Sequence, residues 1–468
     1  MRCLYNEGMT AAGAVIQISA RGAQDAVLNA DPSHTIWRAV HIRFTSSALD
    51  DELQELSSVA FNSVSTLIVN RYGDLITRIA LEVTLPALAA PQIPVSPATT
   101  PPTYVSAADT GAHYVNCIGF AVFDEINIDI GGSTIDQLYS DYCFIYEELA
   151  GKPGLRLEEQ IGRVQYSSEV DEDLLEKATM TQVMFVPLPL WISKFQPATW
   201  GLALPIVALS FHDVRFKMIT RSIPECTAVI YKTGGAWKLA DSTIVPLNAA
   251  TGAPLANSDL GVRVLVTSVY LDGVERTAIT AVTHSFLINV AKRQTLSIPA
   301  NQATKVENKL FLNHPSSSLI WYARPLNWNT ADGRRRFSCG YKDRFDFSSK
   351  VANSVTSVLP YGDCMDPILS ASLSLNGHQR WPQDIASVYF RTSQPYTGWR
   401  TMPSTNIYTY AFALEAYSWQ PTSTVNFSRL DHVSLGLTYA PGIQASELFA
   451  INESYNLLLV KDGLTSRP

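Results

Sequence analysis

Eight histidines are scattered along the chain, at positions 34, 41, 113, 212, 284, 314, 378 and 432. His212-Asp213 and Asp431-His432 are the pairs that could bind a metal or run acid–base chemistry, since a carboxylate orients an imidazole and tunes its proton affinity. Both pairs fall in or beside strand-like stretches, where a histidine held by a structural hydrogen bond is the commoner outcome. The six cysteines, at 3, 117, 143, 226, 339 and 364, show no close pair and no metal-ligand spacing. They read as free thiols of a reducing compartment rather than a disulfide framework. No nucleophile elbow or phosphate-binding glycine loop is present, and Gly131-Gly132-Ser133 lacks the following helix that a phosphate cradle needs. The expectation is therefore no catalytic residue, no cofactor and no metal.

Arg334-Arg335-Arg336, with Lys342, Arg344 and the aromatics Phe337 and Tyr341, is the only basic cluster, and could touch a polyanion. The chain as a whole carries 35 Lys and Arg against 42 Asp and Glu, a net charge of −7. A solvated loop, or a contact with an acidic neighbouring subunit, is the stronger expectation, and no direct nucleic-acid contact is expected. The acidic stretch Glu169 to Glu176 reads as a solvated helical face rather than a metal site. Asn426-Phe427-Ser428 and Asn452-Glu453-Ser454 are formal glycosylation sequons, but no secretory signal is visible, so lumenal use of either is not expected.

The elements that would position these residues are strands. In Asp124 to Tyr142, Ile126, Ile128 and Ile130 alternate with Asn127 and Asp129, Gly131-Gly132 supplies a two-residue turn, and Ile135 begins the return. Ala371 to Trp381 repeats the construction, with Ala371, Leu373 and Leu375 alternating with serines before an Asn376-Gly377 turn. Gly131, Gly132, Asn376 and Gly377 are thus structural turn residues. Further segments echo in the same order: His34 with His284, Leu75 with Leu319, Gln196 with Gln420, Val214 with Val433, and Leu271 with Lys461. The falling offset implies longer late loops in the first copy, chiefly Thr220 to Leu260. An N-terminal arm over 1–29 should precede two β-domains, 30–274 and 275–468, with the break near Gly273.

Along the chain, a short helix is expected within Ala11 to Asn29, broken around Gly22, and a strand in His34 to Ser46. Asp50 to Leu56 should be a loop or a single helical turn, and Val64 to Val69 and Leu75 to Leu85 two strands. Pro86 to Pro102, with six prolines, should be an extended surface loop. A short helix fits Ser140 to Ala150. Met184 to Trp191 reads as a strand at an edge or bulge, because it contains Pro187 and Pro189. Leu202 to Met218 reads as one long buried strand, and Val262 to Leu271 as a strand ended by a turn at Asp272-Gly273. Uneven strand spacing and long loops favour an all-β pair of tandem eight-stranded jelly rolls, with a few short helices, over an immunoglobulin sandwich.

Length and composition agree. At 468 residues the chain holds two or three domains, and only 16% of residues are charged against 46% apolar, as in a protein that hides surface against neighbours or, equally, a large β-protein with neutral loops. The longest uncharged apolar run, Phe195 to Phe211, carries Gln196 and two prolines and is too short to span a bilayer, so no membrane insertion is expected.

The chain resembles the major capsid proteins of nucleocytoplasmic large DNA viruses, those of algal and amoebal viruses more than those of vertebrate iridoviruses. The resemblance is carried by GAQDAVLN (Gly22 to Asn29), RYGDLITRIALEV (Arg71 to Val83), DEINIDIGGSTID (Asp124 to Asp136) and GLALPIVALSFHDVRF (Gly201 to Phe216). It continues through YLDGVERT (Tyr270 to Thr277), NHP (Asn313 to Pro315), LSLNGHQRW (Leu373 to Trp381), QPTSTVNFSRLDHVSLGLTY (Gln420 to Tyr439) and ESYNLLLVKDG (Glu453 to Gly463). It implies a double jelly roll, a homotrimer in contact with neighbouring capsomers and with minor capsid and penton proteins, and a place in an icosahedral shell, the virion being assembled in host cytoplasm. The departures lie in loops 86–102, 220–260 and 329–347. Two other functions compete: a lectin-like carbohydrate-binding jelly roll, and a glycan hydrolase, which would need two convergent carboxylates that the sequence does not nominate.

Overall fold

Alternating burial builds the molecule strand by strand. The structure, a computed structural model, describes residues 11–29, 31–32, 37, 41, 44–96, 103–151, 158–164, 170–196, 200–233, 236–241, 243–302, 304–326, 328, 344–345, 347, 366–381, 383–461 and 463–466. Residues 1–46 form one compact unit and residues 47–468 another. The first contains helix α1 (Ala11–Ser19) and a short turn of helix at Ala26–Asn29.

The second unit is a set of antiparallel sheets. Its first half contributes β1 (Ser47–Glu55), β2 (Val64–Ile68), β3 (Leu75–Leu85), β4 (Phe123–Ile130), β5 (Ser133–Tyr139), β6 (Gln182–Pro187), β7 (Val214–Thr220) and β8 (Gly261–Leu271). The second half contributes β9 (His284–Ile298), β10 (Val306–Leu310), β11 (Pro315–Pro325), β12 (Ile368–Leu375), β13 (His378–Gln379), β14 (Tyr408–Ala411), β15 (Val433–Tyr439) and β16 (Ser446–Lys461). The sheet orders are β1-β8-β3-β6 and β2-β7-β4-β5 in the first half, and β9-β16-β11-β14 and β10-β15-β12-β13 in the second. Adding eight to every label of the first pair of sheets gives the second pair. This order, in which every connection but the β4–β5 and β12–β13 hairpins crosses between two facing sheets, is that of a jelly roll, and the chain makes it twice.

Turn chemistry fixes the register of the hairpins. Ile130 pairs with Ser133 across Gly131 and Gly132, whose φ angles are 59° and 83°. Leu375 pairs with His378 across Asn376 (φ 49°) and Gly377 (φ 81°). Positive φ at both central residues gives a turn whose twist matches that of the flanking strands. At Gly131 a Cβ would also come within 2.4 Å of the His212 ring.

The three long connections of the first half meet. Thr110–Tyr114, from the β3–β4 connection, pairs with Thr227–Thr233, from the β7–β8 connection. Trp237 Nε1 donates to Glu172 Oε1 at 2.8 Å, tying in helix α3 (Val170–Ala178) of the β5–β6 connection. The stretch Thr220 to Leu260 therefore holds a small sheet rather than a plain loop.

Several expectations are corrected. Asp50 to Leu56 lies mostly in strand β1, whose acidic residues face solvent because the strand is an edge with β8 as its one neighbour; Leu49 and Leu53 are exposed too, so no buried stripe marked it. Leu202 to Met218 is not one strand. Pro205 cannot donate to a ladder, and the chain makes a two-residue bridge, a 3₁₀ turn (Ile206–Ala208), and only then β7. Asp272 does not close a turn but caps helix α4 (Gly273–Ala281), accepting from Gly273 N at 2.7 Å. The second half's first strand opens at His284, and its counterpart opens at Ser47, so the pairing of His34 with His284 was out of register. Residues 34–36, 38–40 and 42–43 of the strand expected over His34 to Ser46 lie outside the described residues.

Candidate functional site

The residues with the strongest electrostatic environment lie where the two halves meet. Helix α2 (Ser140–Ala150) leaves β5 and lies against strands of the second half. Its first turn carries Asp141, which suits a helix N-terminus and is wholly buried. Asp141 accepts from Arg324 Nη1 and Tyr322 Oη, both at 2.9 Å, with Arg344 at 3.3 Å and Arg293 at 3.6 Å. Asp124 beside it pairs with Arg221 at 2.6 Å and Arg344 at 3.6 Å. Burial alone would raise the pKa of Asp141, but the guanidiniums of Arg344, Arg324, Arg221 and Arg293 outweigh it and hold the carboxyl well below the usual range. Burial and the flanking Arg221 and Arg324 pull Arg344 down in turn.

A second buried group lies on the same seam. Lys194 Nζ meets Glu453 Oε1 at 2.7 Å and Asn289 Oδ1 at 2.8 Å. Glu453 also accepts from Tyr142 Oη at 2.5 Å and Ser318 Oγ at 2.6 Å. Burial opposes ionisation of Glu453, and Lys194 with these hydrogen bonds reverses that, so its pKa is lowered. The carboxylate of Glu148 accepts from Ser404 N and Oγ at 2.7 Å and pairs with Arg163 at 2.6 Å. The Leu149 carbonyl at the end of α2, which has no partner within the helix, accepts from both Arg400 N and Thr401 N at 3.1 Å.

Aromatic packing fills the remainder. Phe144 stacks on Phe345 with ring centroids 4.5 Å apart, and Tyr322 packs on Phe449 at 5.0 Å. One hydrophobic cluster takes in the first half's core together with Ile288, Val290, Ile320, Tyr322, Phe449 and Ile451 of the second half; Leu319, Trp321, Leu448 and Ala450, alternate residues of the same strands, belong to the second half's own core. The β9-β16-β11-β14 sheet is thus covered on both faces, which is why β11 is buried almost along its whole length.

This arrangement holds surfaces together and leaves no room for a substrate. The void beside Tyr142, Lys194 and Glu453 measures about 10 Å³, the size of one water. A larger cleft of about 450 Å³ has Glu147 as its one lining carboxylate, and another of about 890 Å³ has Asp241, so neither presents the carboxylate pair of a glycan hydrolase. Among the described residues no group of three His, Cys, Asp or Glu could hold a metal ion. No helix of the described residues is long and apolar enough to cross a membrane.

The sequence-nominated residues fall elsewhere. His212 accepts from Thr465 N at 3.0 Å through Nδ1, while Asp213 pairs with Arg71 at 3.3 Å. His432 donates its backbone N–H to Asn376 Oδ1 at 2.9 Å, closing the second hairpin. Gly131, Gly132, Asn376 and Gly377 sit at hairpin tips. Arg334-Arg335-Arg336, Phe337, Tyr341 and Lys342 lie outside the described residues. Arg344, grouped with them as a solvated cation, is instead buried against Asp141 and Asp124. Asn452 is fully buried on β16, so that sequon is closed to modification in the folded chain, while Asn426 is exposed. Cys117, Cys143 and Cys226 are buried, and burial pushes the Cys143 thiol up. Sequence reading missed Asp141, Lys194, Arg324 and Glu453. The available signal was a charge inside an otherwise apolar stretch, as in SSLIWYARP and WISKFQP.

Comparison with known proteins covers nearly the whole chain. Residues 35–272 match a family model described as the major capsid protein N-terminus, and residues 275–466 match one described as the large eukaryotic DNA virus major capsid protein. The major capsid protein of Pyramimonas orientalis virus is 27% identical, over 97% of this chain and 98% of its own. That of Paramecium bursaria Chlorella virus 1 is 28% identical, over 92% of this chain and 87% of its own. Among solved structures, the PBCV-1 virus capsid subunit superposes with a TM-score of 0.67 at 21% identity, covering 92% of this chain and 99% of that one. The Faustovirus major capsid protein gives 0.67 at 14% identity, covering 96% of each. These structures share the double jelly-roll fold. The carbohydrate-binding reading finds no support among these matches.

Proposed function

Because the chain belongs to the large eukaryotic DNA virus major capsid protein family, we propose that it is the structural subunit of a viral shell and carries no catalytic activity. The observation that carries this reading is the duplicated sandwich locked into one block by buried charge at the seam. A block made of two similar wedges supplies one third of a ring. Three copies around a closed threefold axis then present six similar sides, the outline that tiles an icosahedral facet. In this reading the chain is a homotrimer, its partners are neighbouring capsomers together with minor capsid and penton proteins, and the shell is assembled in host cytoplasm.

The jelly rolls are assigned to 30–274 and 275–468, behind an arm of 1–29. In support, among the described residues no sheet mixes strands from the two sides of Gly273, and β8 and β9 are separated by helix α4. The connections that meet through Thr110–Tyr114, Val170–Ala178 and Thr227–Thr233 are assigned to the outer cap. Light scattering on the purified chain tests the assembly. Three chains of 51.4 kDa give about 154 kDa, and a mass fixed at 51.4 kDa across a wide concentration range would contradict it.

A further inference from the structure

The cleft of about 450 Å³ beside helix α2 stands apart in how its polar groups are used. Its walls are largely apolar, with Phe120, Leu188 and Trp200 among them, the last 48% exposed. Glu147 of α2 lines it and is half-buried. Among the described residues no hydrogen bond or ion pair reaches the Glu147 carboxylate, because Arg163, the cation that acts on it, is held by Glu148 Oε1 at 2.6 Å. A carboxylate drawn out of water without a partner is a costly group, and a cleft is where a ligand can supply that partner.

The neighbouring polar groups have directed their donors elsewhere. Lys194 Nζ gives its three N–H groups to Tyr142 Oη, Asn289 Oδ1 and Glu453 Oε1, all on the seam. Gln196 Nε2 donates to Thr77 O at 2.7 Å and to Ile192 O at 3.2 Å, and Ser193 Oγ donates to Leu188 O at 2.8 Å. Gln196 Oε1, Ser193 Oγ and Glu147 therefore bring acceptor capacity to the cleft. Arg78 keeps free donors, but its guanidinium is about half exposed and faces Asp51 at 3.9 Å. A cleft of acceptors with one unbalanced negative charge and aromatic walls selects a cation that donates hydrogen bonds.

We propose that this cleft binds a small primary alkylammonium ion, its charge held by Glu147, its N–H groups shared among Glu147, Gln196 Oε1 and Ser193 Oγ, and its alkyl body against Phe120, Leu188 and Trp200. Every lining residue comes from the first half of one chain, so the site goes beyond the shell reading and does not rest on it. The groups around Glu147 are Glu148 and Arg163, paired with each other, Arg78, the seam-bound Lys194 and the buried Cys143 thiol. Burial, with Glu148 adjacent, places the Glu147 carboxyl at about 7, while an alkylammonium stays charged far above that. The ionised fraction of Glu147 then rises from about 3% at pH 5.5 to about 90% at pH 8, and affinity should rise about 30-fold with it.

Saturation-transfer NMR on the purified full-length chain, with n-butylammonium as the probe, tests this. Binding is expected at pH 8, about 30-fold weaker at pH 5.5, and not reproduced by neutral n-butanol. Glu147→Gln keeps the shape and removes the charge, and should weaken binding at least about tenfold. Arg78→Gln removes a like charge and should leave binding intact or tighten it; loss of binding there would mean that the cleft holds an anionic group, and overturns the assignment. Asp241→Asn, in the larger cleft, should change nothing, and equal losses in Asp241→Asn and Glu147→Gln would show general attraction to an acidic chain and overturn the site. The pH comparison needs no variant, so it decides even if a substituted chain fails to fold by circular dichroism. Absence of saturation at pH 8, or equal affinity at both pH values, overturns the site and leaves the shell reading, which is tested by mass, untouched.

Discussion

Asp141 is the residue on which most charge converges. Removing it would leave the guanidiniums of Arg324, Arg344 and Arg293 packed in the interior with too little negative charge. Asp141→Asn is expected to lower stability by about 3–5 kcal/mol, read as a fall in the denaturation midpoint, because breaking one side of a buried ion network leaves the other uncompensated. Glu147 behaves in the opposite way. Burial, with Glu148 adjacent, pushes its carboxyl from 4.5 to about 7. The folded chain then keeps this proton where the unfolded chain has lost it, so the group's effect on stability worsens as pH rises from 4.5 to about 7 and is constant above. Glu147→Gln should melt at the same temperature as the wild type at pH 4.5 and higher at pH 8, by on the order of 1–3 kcal/mol. Equal melting temperatures at both pH values would show that burial does not perturb this group.

At the scale of elements, the hairpins offer a graded comparison. Both central glycines of the first turn have positive φ, but only Gly131 also faces the His212 ring at 2.4 Å from a built Cβ; Gly132 has nothing within 4 Å. Gly132→Ala should cost about 1–2 kcal/mol from backbone strain alone, and Gly131→Ala more, since it adds a clash. Equal losses in thermal melts would mean that the histidine moves aside freely. These hairpins were legible in the sequence because local chemistry dictates them: alternation sets the strands, and Gly-Gly or Asn-Gly sets the turn. Strand β1 was not legible, because an edge strand with little buried surface has no stripe to show. Helix α4 was missed because Asp-Gly serves equally as turn and as helix start. The seam was hidden for a different reason: Asp141, Lys194 and Glu453 are far apart in the chain, and only tertiary pairing gives their types a meaning.

At the scale of the whole molecule, the chain solves the same packing problem twice and joins the two solutions rigidly. The joint is ionic as well as apolar, which sets relative orientation more sharply than apolar contact alone, as directional hydrogen bonds require a single geometry. The Lys194–Glu453 pair allows this to be apportioned. Lys194→Met and Glu453→Leu should each be strongly destabilising, and the double variant less so than their sum, giving a coupling energy of roughly 1–3 kcal/mol in a double-mutant cycle. Additive losses would mean that the two residues do not act as a pair. In the assembly proposed above, such blocks join by threes into a six-sided capsomer. Electron microscopy of the purified chain tests it most directly: class averages should be threefold symmetric with a six-lobed outline, whereas single two-lobed particles, or rings of another symmetry, would contradict it.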